Sequence, residues 1–155
     1  MSAVVAPTLI FGWGNPSRGD DALGPLFIDH FEALVTKHPE WGEVDFLTDF
    51  QLQVEHALDL QGRSRVLFVD ASIKTPAPCQ LEAIVARKDS SFTTHAMSPQ
   101  SVMQVYTDIE DHAPPPCWLL SIRGERFELG EALGIAAQAN LVAALTLAAG
   151  WMDAA

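Results

Sequence analysis

Apolar segments and helical repeats of apolar residues alternate through the first half of the chain. Strands are predicted at Thr8–Trp13, Glu43–Thr48 and Arg65–Asp70, and the first and third are rich in apolar residues, as buried strands are. Between them, apolar positions at helical spacing predict helices at Pro25–Lys37 and Phe50–Leu60. This β-α-β-α-β order predicts a parallel sheet with helices on both faces and ligands at the carboxyl ends of its strands.

The second half of the chain adds two strands and two helices to this pattern. The alternating segment Cys79–Arg87 predicts an edge strand, for which parallel and antiparallel pairing both stay open. A helix is predicted from Ser98-Pro99, then the strand Cys117–Arg123, then a last helix with its apolar stripe between Ile135 and Ala149. We therefore expect an α/β fold, a three-layer αβα sandwich with about five, mostly parallel strands.

Size and charge limit the function classes. The 155 residues fit a single domain, 1–155, with a sizeable core. Acidic residues number 20 against 9 basic ones, and the net charge of -11 argues against binding to nucleic acid phosphates. The cysteines, Cys79 and Cys117, form no CxxC pair, and the N-terminus lacks a signal-peptide pattern. We expect a cytoplasmic protein.

The stretch Ala132–Met152 carries no charge and is long enough to raise the question of a membrane span. It is dominated by alanine, contains polar residues, and is flanked by Glu131 and Asp153 without a basic anchor. We therefore predict a closing helix of the core and no contact with a membrane.

The run from Gly12 to Gly24 carries the clearest chemical signal. It follows the first predicted strand and places Asp20 and Asp21 just before a helical pattern, where carboxylates can bind a metal or accept a proton. One acid suffices to cap a helix, so the second indicates a functional role, for which Asp21 is favoured. Ser17 stands where a dinucleotide fingerprint needs glycine, and the Gly-Lys-Ser/Thr of a P-loop is missing.

Two further residues could join Asp21. Asp70 ends an apolar strand, where a ligand site and a local hydrogen bond both stay open as interpretations. If the first and third strands are neighbours, Asp21 and Asp70 converge on one crevice. His95 lies in a polar loop before a helix, and an Asp, Asp, His set can hold a divalent transition metal. Trp13, between two glycines, is expected to line the crevice.

These residues resemble the [NiFe]-hydrogenase maturation endopeptidases. The resemblance covers nearly the whole chain in element order and is carried by Gly12-Trp13-Gly14-Asn15, Asp20-Asp21, Gly24, Val69-Asp70-Ala71 and Thr93-Thr94-His95. It implies a three-layer fold of the phosphorylase/hydrolase-like type. It also implies a protease that removes a C-terminal extension from the precursor of the hydrogenase large subunit after nickel insertion.

The resemblance assigns catalytic and nickel-contacting roles to Asp21, Asp70 and His95. In this interpretation nickel arrives with the precursor rather than being permanently bound, and the protease is a monomer. The family's Asp-Gly-Gly stretch reads Asp49-Phe50-Gln51-Leu52 here, which suggests a divergent loop facing the substrate. The stretch Phe127–Glu131 looks like a subgroup trait and receives no role.

Two other functions stay open. A noncatalytic nickel-checkpoint or chaperone module would use the same triad to bind the nickel-loaded precursor without cutting it. An α/β hydrolase of small molecules that uses the acid pair is less favoured, because the sequence shows no second carboxylate cluster and no nucleophile motif such as Gly-x-Ser-x-Gly.

Overall fold

The protein's computed structural model describes residues 4–88 and 97–154. Within these ranges, five strands form one sheet in the order β2-β1-β3-β5-β4. The strands are β1 (Thr8–Trp13), β2 (Val44–Asp49), β3 (Arg65–Ser72), β4 (Cys79–Ile84) and β5 (Cys117–Arg123). β1, β2, β3 and β5 are parallel, and β4 is an antiparallel edge strand. The mostly parallel sheet is confirmed, and the open question about β4 is settled.

Helices cover both faces of the sheet, which confirms the three-layer αβα prediction. The α-helices in the described ranges are α1 (Leu23–Val35), α2 (Pro99–Glu110) and α3 (Ile135–Asp153). Short 3-10 helices occupy Gly19–Ala22, Pro39–Trp41 and Val54–Leu60. α1 and α3 pack on one face, whereas α2 and the 3-10 helix Val54–Leu60 pack on the other.

The central strand β3 supplies side chains to both halves of the core. Leu67 and Val69 point toward α1 and α3, while Val66 and Phe68 point to the opposite face. All four side chains are fully buried. This alternation is what a parallel sheet covered on both faces requires.

Trp13 belongs to this core and not to the crevice wall that the sequence suggested. Its side chain is only 6% exposed and packs edge-on against Phe68 at 6.0 Å and Phe11 at 6.1 Å between ring centroids. Because Trp13 is the last residue of β1, strand alternation turns it toward the α2 face, in register with Leu9 and Phe11.

The predicted helix Phe50–Leu60 is wrong in type and start. Phe50 and Gln51 form a bend, and only Val54–Leu60 is helical, as a 3-10 helix. Gln53 and His56 cap its first turn reciprocally, which fixes its beginning at Val54. The segment is therefore too short for a regular amphipathic α-helix.

The uncharged C-terminal segment forms α3, as predicted for a core helix. By length and composition alone α3 could span a membrane. In this fold its inner face packs into the core through Ala137, Leu141, Ala144, Ala148, Trp151 and Met152.

Candidate active site

The strand order creates a crevice at the carboxyl end of the sheet. The chain leaves β1 through α1 to β2 on one side, and it returns to β3 on the other side of β1. Such a reversal opens a crevice beyond the two central strands, where doubly wound α/β proteins bind ligands. The loop after β1 and the end of β3 meet there, so the assumption that these strands are neighbours is confirmed.

Glycines allow the loop after β1 to fold back tightly on the strand. Gly14 has φ +147°, and a Cβ there would collide with the carbonyl oxygen of Asp21. A Cβ on Gly24 would likewise collide with the carbonyl oxygen of Trp13. These close approaches bring the start of α1, and Asp21 just before it, against the end of β1.

Asp21 is partly exposed and its orientation is fixed by one backbone group. Its Oδ2 accepts a hydrogen bond from the N–H of Asn15 at 2.8 Å. The other carboxylate oxygen carries no protein partner among the described residues. Asp21 therefore has acceptor capacity left for a substrate or a metal ion.

Asp70 lies within β3, just past the end of its pairing with β1. That pairing stops at Gly12 and Val69, while β3 continues beside β5 as far as Ser72. Burial and, to a smaller extent, the negative charge of Asp21 together raise the pKa of Asp70 to about 7, against a hydrogen bond from the Ala71 backbone that lowers it. At neutral pH the Asp70 carboxyl therefore exchanges readily between its protonated and ionised forms.

The two carboxyls together are suited to cation binding or to proton transfer. Like charges at close range disfavour ionisation of both groups, and a cation between them reverses that preference. A carboxyl whose pKa lies near neutrality can also accept or release a proton during a reaction. The described structure thus brings together two of the three residues chosen from the sequence.

Asp20 does not cap a helix, which corrects one interpretation of the acid pair. Its side chain is 2% exposed and accepts three backbone N–H groups, from Glu125 (2.7 Å), Gly134 (2.9 Å) and Arg126 (3.1 Å). Burial opposes its ionisation, but these hydrogen bonds prevail and lower the pKa of Asp20. Asp20 therefore holds the segment between β5 and α3, while Asp21 faces the crevice.

A cleft of about 270 Å³ lies beside this loop. It is lined by Gly14, Pro16, Pro25, Thr48, Asp49 and Phe50. Phe50 is 65% exposed, so its ring stands at the solvent side of the cleft. The stretch that the sequence indicated as substrate-facing therefore borders an open space next to the candidate site.

His56 is a residue that sequence reasoning set aside and that the structure places near the cleft. Its Nδ1 accepts the N–H of Gln53 at 2.8 Å, so its Nε2 carries the proton and lies 3.2 Å from Oδ2 of Asp49. The ring also contacts Phe11 edge-on at 4.6 Å. The spacing of Gln53 and His56, that of a capping box, was the available signal.

His95, the third candidate, lies outside the described residues. Within residues 4–88 and 97–154, no group of three or more His, Cys, Asp or Glu side chains is placed to hold a metal ion. The described part of the site thus offers the oxygen donors of Asp21 and Asp70.

Comparisons with known proteins bear on the fold of this chain. No family model matches it, and no curated protein matches it by sequence. Solved structures do match over nearly the full length. A [NiFe] hydrogenase maturation protease, HycI, from Thermococcus kodakarensis KOD1 superposes with a TM-score of 0.71 at 18% identity, over 96% of this chain and 94% of that protein.

The chain has the fold of the hydrogenase maturation proteases. The hydrogenase maturating endopeptidase HybD from E. coli matches with a TM-score of 0.70 at 18% identity, over 94% of this chain and 91% of that protein. The hydrogenase 2 maturation peptidase from Thaumarchaeota archaeon SCGC_AB-539-E09 matches with a TM-score of 0.64 at 20% identity, over 94% of this chain and 97% of that protein. The fold implied by the resemblance is confirmed.

Proposed function

We propose that this protein is an endopeptidase that removes the C-terminal extension of a nickel-loaded [NiFe]-hydrogenase large-subunit precursor. The observation that carries the proposal is the juxtaposition of Asp21 and Asp70 at the strand-order reversal, in a fold shared with maturation proteases. Two neighbouring carboxyls at this position favour binding of a cation that the substrate brings.

In this proposal nickel is part of the substrate. The carboxylates of Asp21 and Asp70 contact the nickel held by the precursor, and His95 supplies a nitrogen donor. A metal ion at this position can polarise a peptide carbonyl or lower the pKa of a bound water to about 7. The Asn15 backbone orients Asp21, and the rigid sheet positions Asp70, so the protein tests for nickel with two prearranged groups.

The cleft next to the glycine-rich loop accommodates the polypeptide around the scissile bond. Its walls combine the aromatic ring of Phe50 with the polar side chains of Thr48 and Asp49. Asp49 is held by the backbone of Phe50, which donates to its Oδ1 at 2.7 Å, and by the ring of His56. We further propose that the protein acts as a monomer in the cytoplasm.

The direct test is mass spectrometry of the nickel-loaded precursor after incubation with the wild-type protein and with site variants. We expect loss of one defined C-terminal peptide with the wild type. Asp21→Asn, Asp70→Asn and His95→Ala should each abolish that loss, because the first two replace an anionic carboxylate by a neutral amide and the third removes the nitrogen donor to nickel. Asp29→Asn, an exposed aspartate on α1, is the matched control and should process the precursor normally.

Two results would contradict the proposal. Normal processing by all three site variants would remove the triad from the mechanism. Tight binding of the precursor without any mass loss would instead identify a noncatalytic checkpoint module, the alternative that uses the same residues.

A further inference from the structure

Residues 125–134 join β5 to α3 and are fixed against the glycine-rich loop; we name them the clamped segment. The carboxylate of Asp20 binds both ends of it, through Glu125 and Arg126 at one end and Gly134 at the other. Further hydrogen bonds run from Gly19 N–H to Glu131 O (3.1 Å), from Gly130 N–H to Ser17 O (2.7 Å) and from Arg18 Nε to Phe127 O (3.2 Å). The clamped segment therefore has a defined position next to Asp21.

The outward surface of this region exposes large apolar side chains. Leu129, at a turn of the clamped segment, is 73% exposed, and Ile135, the first residue of α3, is 88% exposed. Ala139 and Val142 follow Ile135 by four and seven residues on α3, so they share its face, which also carries the exposed Gln138, and Val142 is 64% exposed. We name Leu129, Ile135, Ala139 and Val142 the apolar strip.

The outer surface of α3 lacks the charged residues that usually cover a surface helix, and its exposed polar side chains are Gln138 and Thr146. The sequence has no charged residue between Glu131 and Asp153, although only one face of α3 packs into the core. An outer helix face without charges that exposes large apolar side chains such as Ile135 and Val142 is a candidate for contact with a partner. Exposed apolar patches of this kind mark interaction sites.

Charge indicates which partner fits. The clamped segment carries Glu125, Glu128 and Glu131 against one basic residue, Arg126, whose Nε lies 3.9 Å from Glu131 Oε2. The segment therefore stays net negative, and the whole chain has a net charge of -11. A second copy would bring the same negative charge to the interface, which disfavours self-association. A protein with an apolar patch bordered by lysine and arginine would instead gain electrostatic attraction.

We propose that the apolar strip is the docking surface for the folded body of the protein substrate, through a substrate patch that is apolar at its centre and basic at its rim. The inference rests on the proposed function. The strip is tied to the loop that carries the site, because Asp20 binds both ends of the segment that contains Leu129, and the next residue is Asp21. Docking there delivers the substrate's C-terminal region to Asp21 and Asp70, and contacts remote from the scissile bond supply affinity.

The test is a steady-state assay of processing of the nickel-loaded precursor by the double variant Leu129→Ser/Ile135→Ser. We expect KM to rise about tenfold with kcat unchanged, because both side chains act in binding and neither touches the reacting atoms. The matched control is Ile109→Ser on α2, which removes a 57% exposed isoleucine from the opposite layer of the sandwich and should leave KM unchanged.

A second arm tests the charge argument and the alternative occupant. Glu125→Gln/Glu128→Gln should slow association of the precursor with the inactive Asp21→Asn protein at low salt and have little effect at high salt. A wild-type KM in the Leu129→Ser/Ile135→Ser protein would overturn the inference while leaving the proposed function intact. A wild-type dimer that dissociates on Ile135→Ser would assign the strip to a second copy instead.

The two proposals fail in different ways. If the wild-type protein neither binds nor cleaves the precursor, the proposed function fails and the docking inference fails with it. If the wild type cleaves the precursor and the strip variants cleave it with the same KM, the docking inference is wrong and the proposed function stands.

Discussion

Asp70 is the residue whose protonation connects the site to the stability of the fold. Its folded pKa of about 7 lies above the value of about 3.9 for an aspartate in an unfolded chain. Between these values the folded state binds more protons than the unfolded state. The free energy of unfolding therefore decreases as the pH rises from 4 to 7, by at most about 1.4 kcal/mol per pH unit from this group.

Asp70→Asn should remove this pH-dependent decrease in the free energy of unfolding, because asparagine does not titrate. We expect the variant to be more stable than the wild type at pH 8 and to lose most of that advantage at pH 5, measured by urea unfolding at both values. Asp21→Asn is the companion variant, since removing its charge should lower the pKa of Asp70 and weaken the pH dependence. An equal stability gain for Asp70→Asn at both pH values would show that Asp70 titrates normally.

The different roles of Asp20 and Asp21 could not be read from the sequence. The acid pair predicted a functional role for at least one of the two residues, with Asp21 favoured, and it did not reveal that Asp20 binds backbone groups. The partners of Asp20 lie more than a hundred positions away along the chain. Local patterns reveal helix caps but not a carboxylate that binds a distant loop. Trp13 was misplaced because its neighbouring glycines, and not its position in strand alternation, guided the expectation.

At the level of elements, the clamped segment depends on the ionised carboxylate of Asp20. Asp20→Asn leaves one oxygen for three N–H donors and removes the charge, so we expect the free energy of unfolding at pH 7 to fall by about 2 kcal/mol or more. The matched control Asp29→Asn, on the exposed face of α1, should change it by about 0.5 kcal/mol or less. Urea unfolding measures both.

The pH dependence of this effect has the opposite sign to that of Asp70. The pKa of Asp20 is lowered in the folded protein. Its contribution to the free energy of unfolding is therefore complete above the unfolded pKa of about 4 and is lost as the pH falls through the folded pKa. The difference between the wild type and Asp20→Asn should therefore shrink under acid conditions. A difference that grows on acidification would contradict the clamp.

Element order and type were predictable where periodicity extends over a full strand or helix. The strands of the sheet and the helices α1, α2 and α3 were expected near their observed bounds. The connection from β2 to β3 was not predicted correctly. Its buried residues Leu52, Ala57 and Leu60 lie in an irregular segment and a 3-10 helix rather than on one face of an α-helix. In β4, the predicted strand ends early at Ile84, since alternation continues in the sequence beyond the paired residues.

At the level of the whole molecule, β3 is the strand on which both halves of the core depend. Val69 is fully buried between β1 and β5 and next to Asp70. Val69→Asp would bury a charge without a partner, which costs several kcal/mol against a total stability of about 5–15 kcal/mol. We expect loss of the folded state, measured by circular dichroism. Val85→Asp, at a 76% exposed position, adds the same charge and should remain folded.

A folded, active Val69→Asp protein would mean that β3 is not central. The strand order and the crevice would then lose their basis, because the convergence of Asp21 and Asp70 follows from β3 lying beside β1.

The measurement that tests the central claim most directly compares one precursor in two forms. A [NiFe]-hydrogenase large-subunit precursor, with and without inserted nickel, is incubated with the wild-type protein and its mass is determined. The account predicts that a single C-terminal peptide is lost from the nickel-loaded form and that the nickel-free form keeps its full mass. Equal cleavage of both forms, or cleavage of neither, would contradict it.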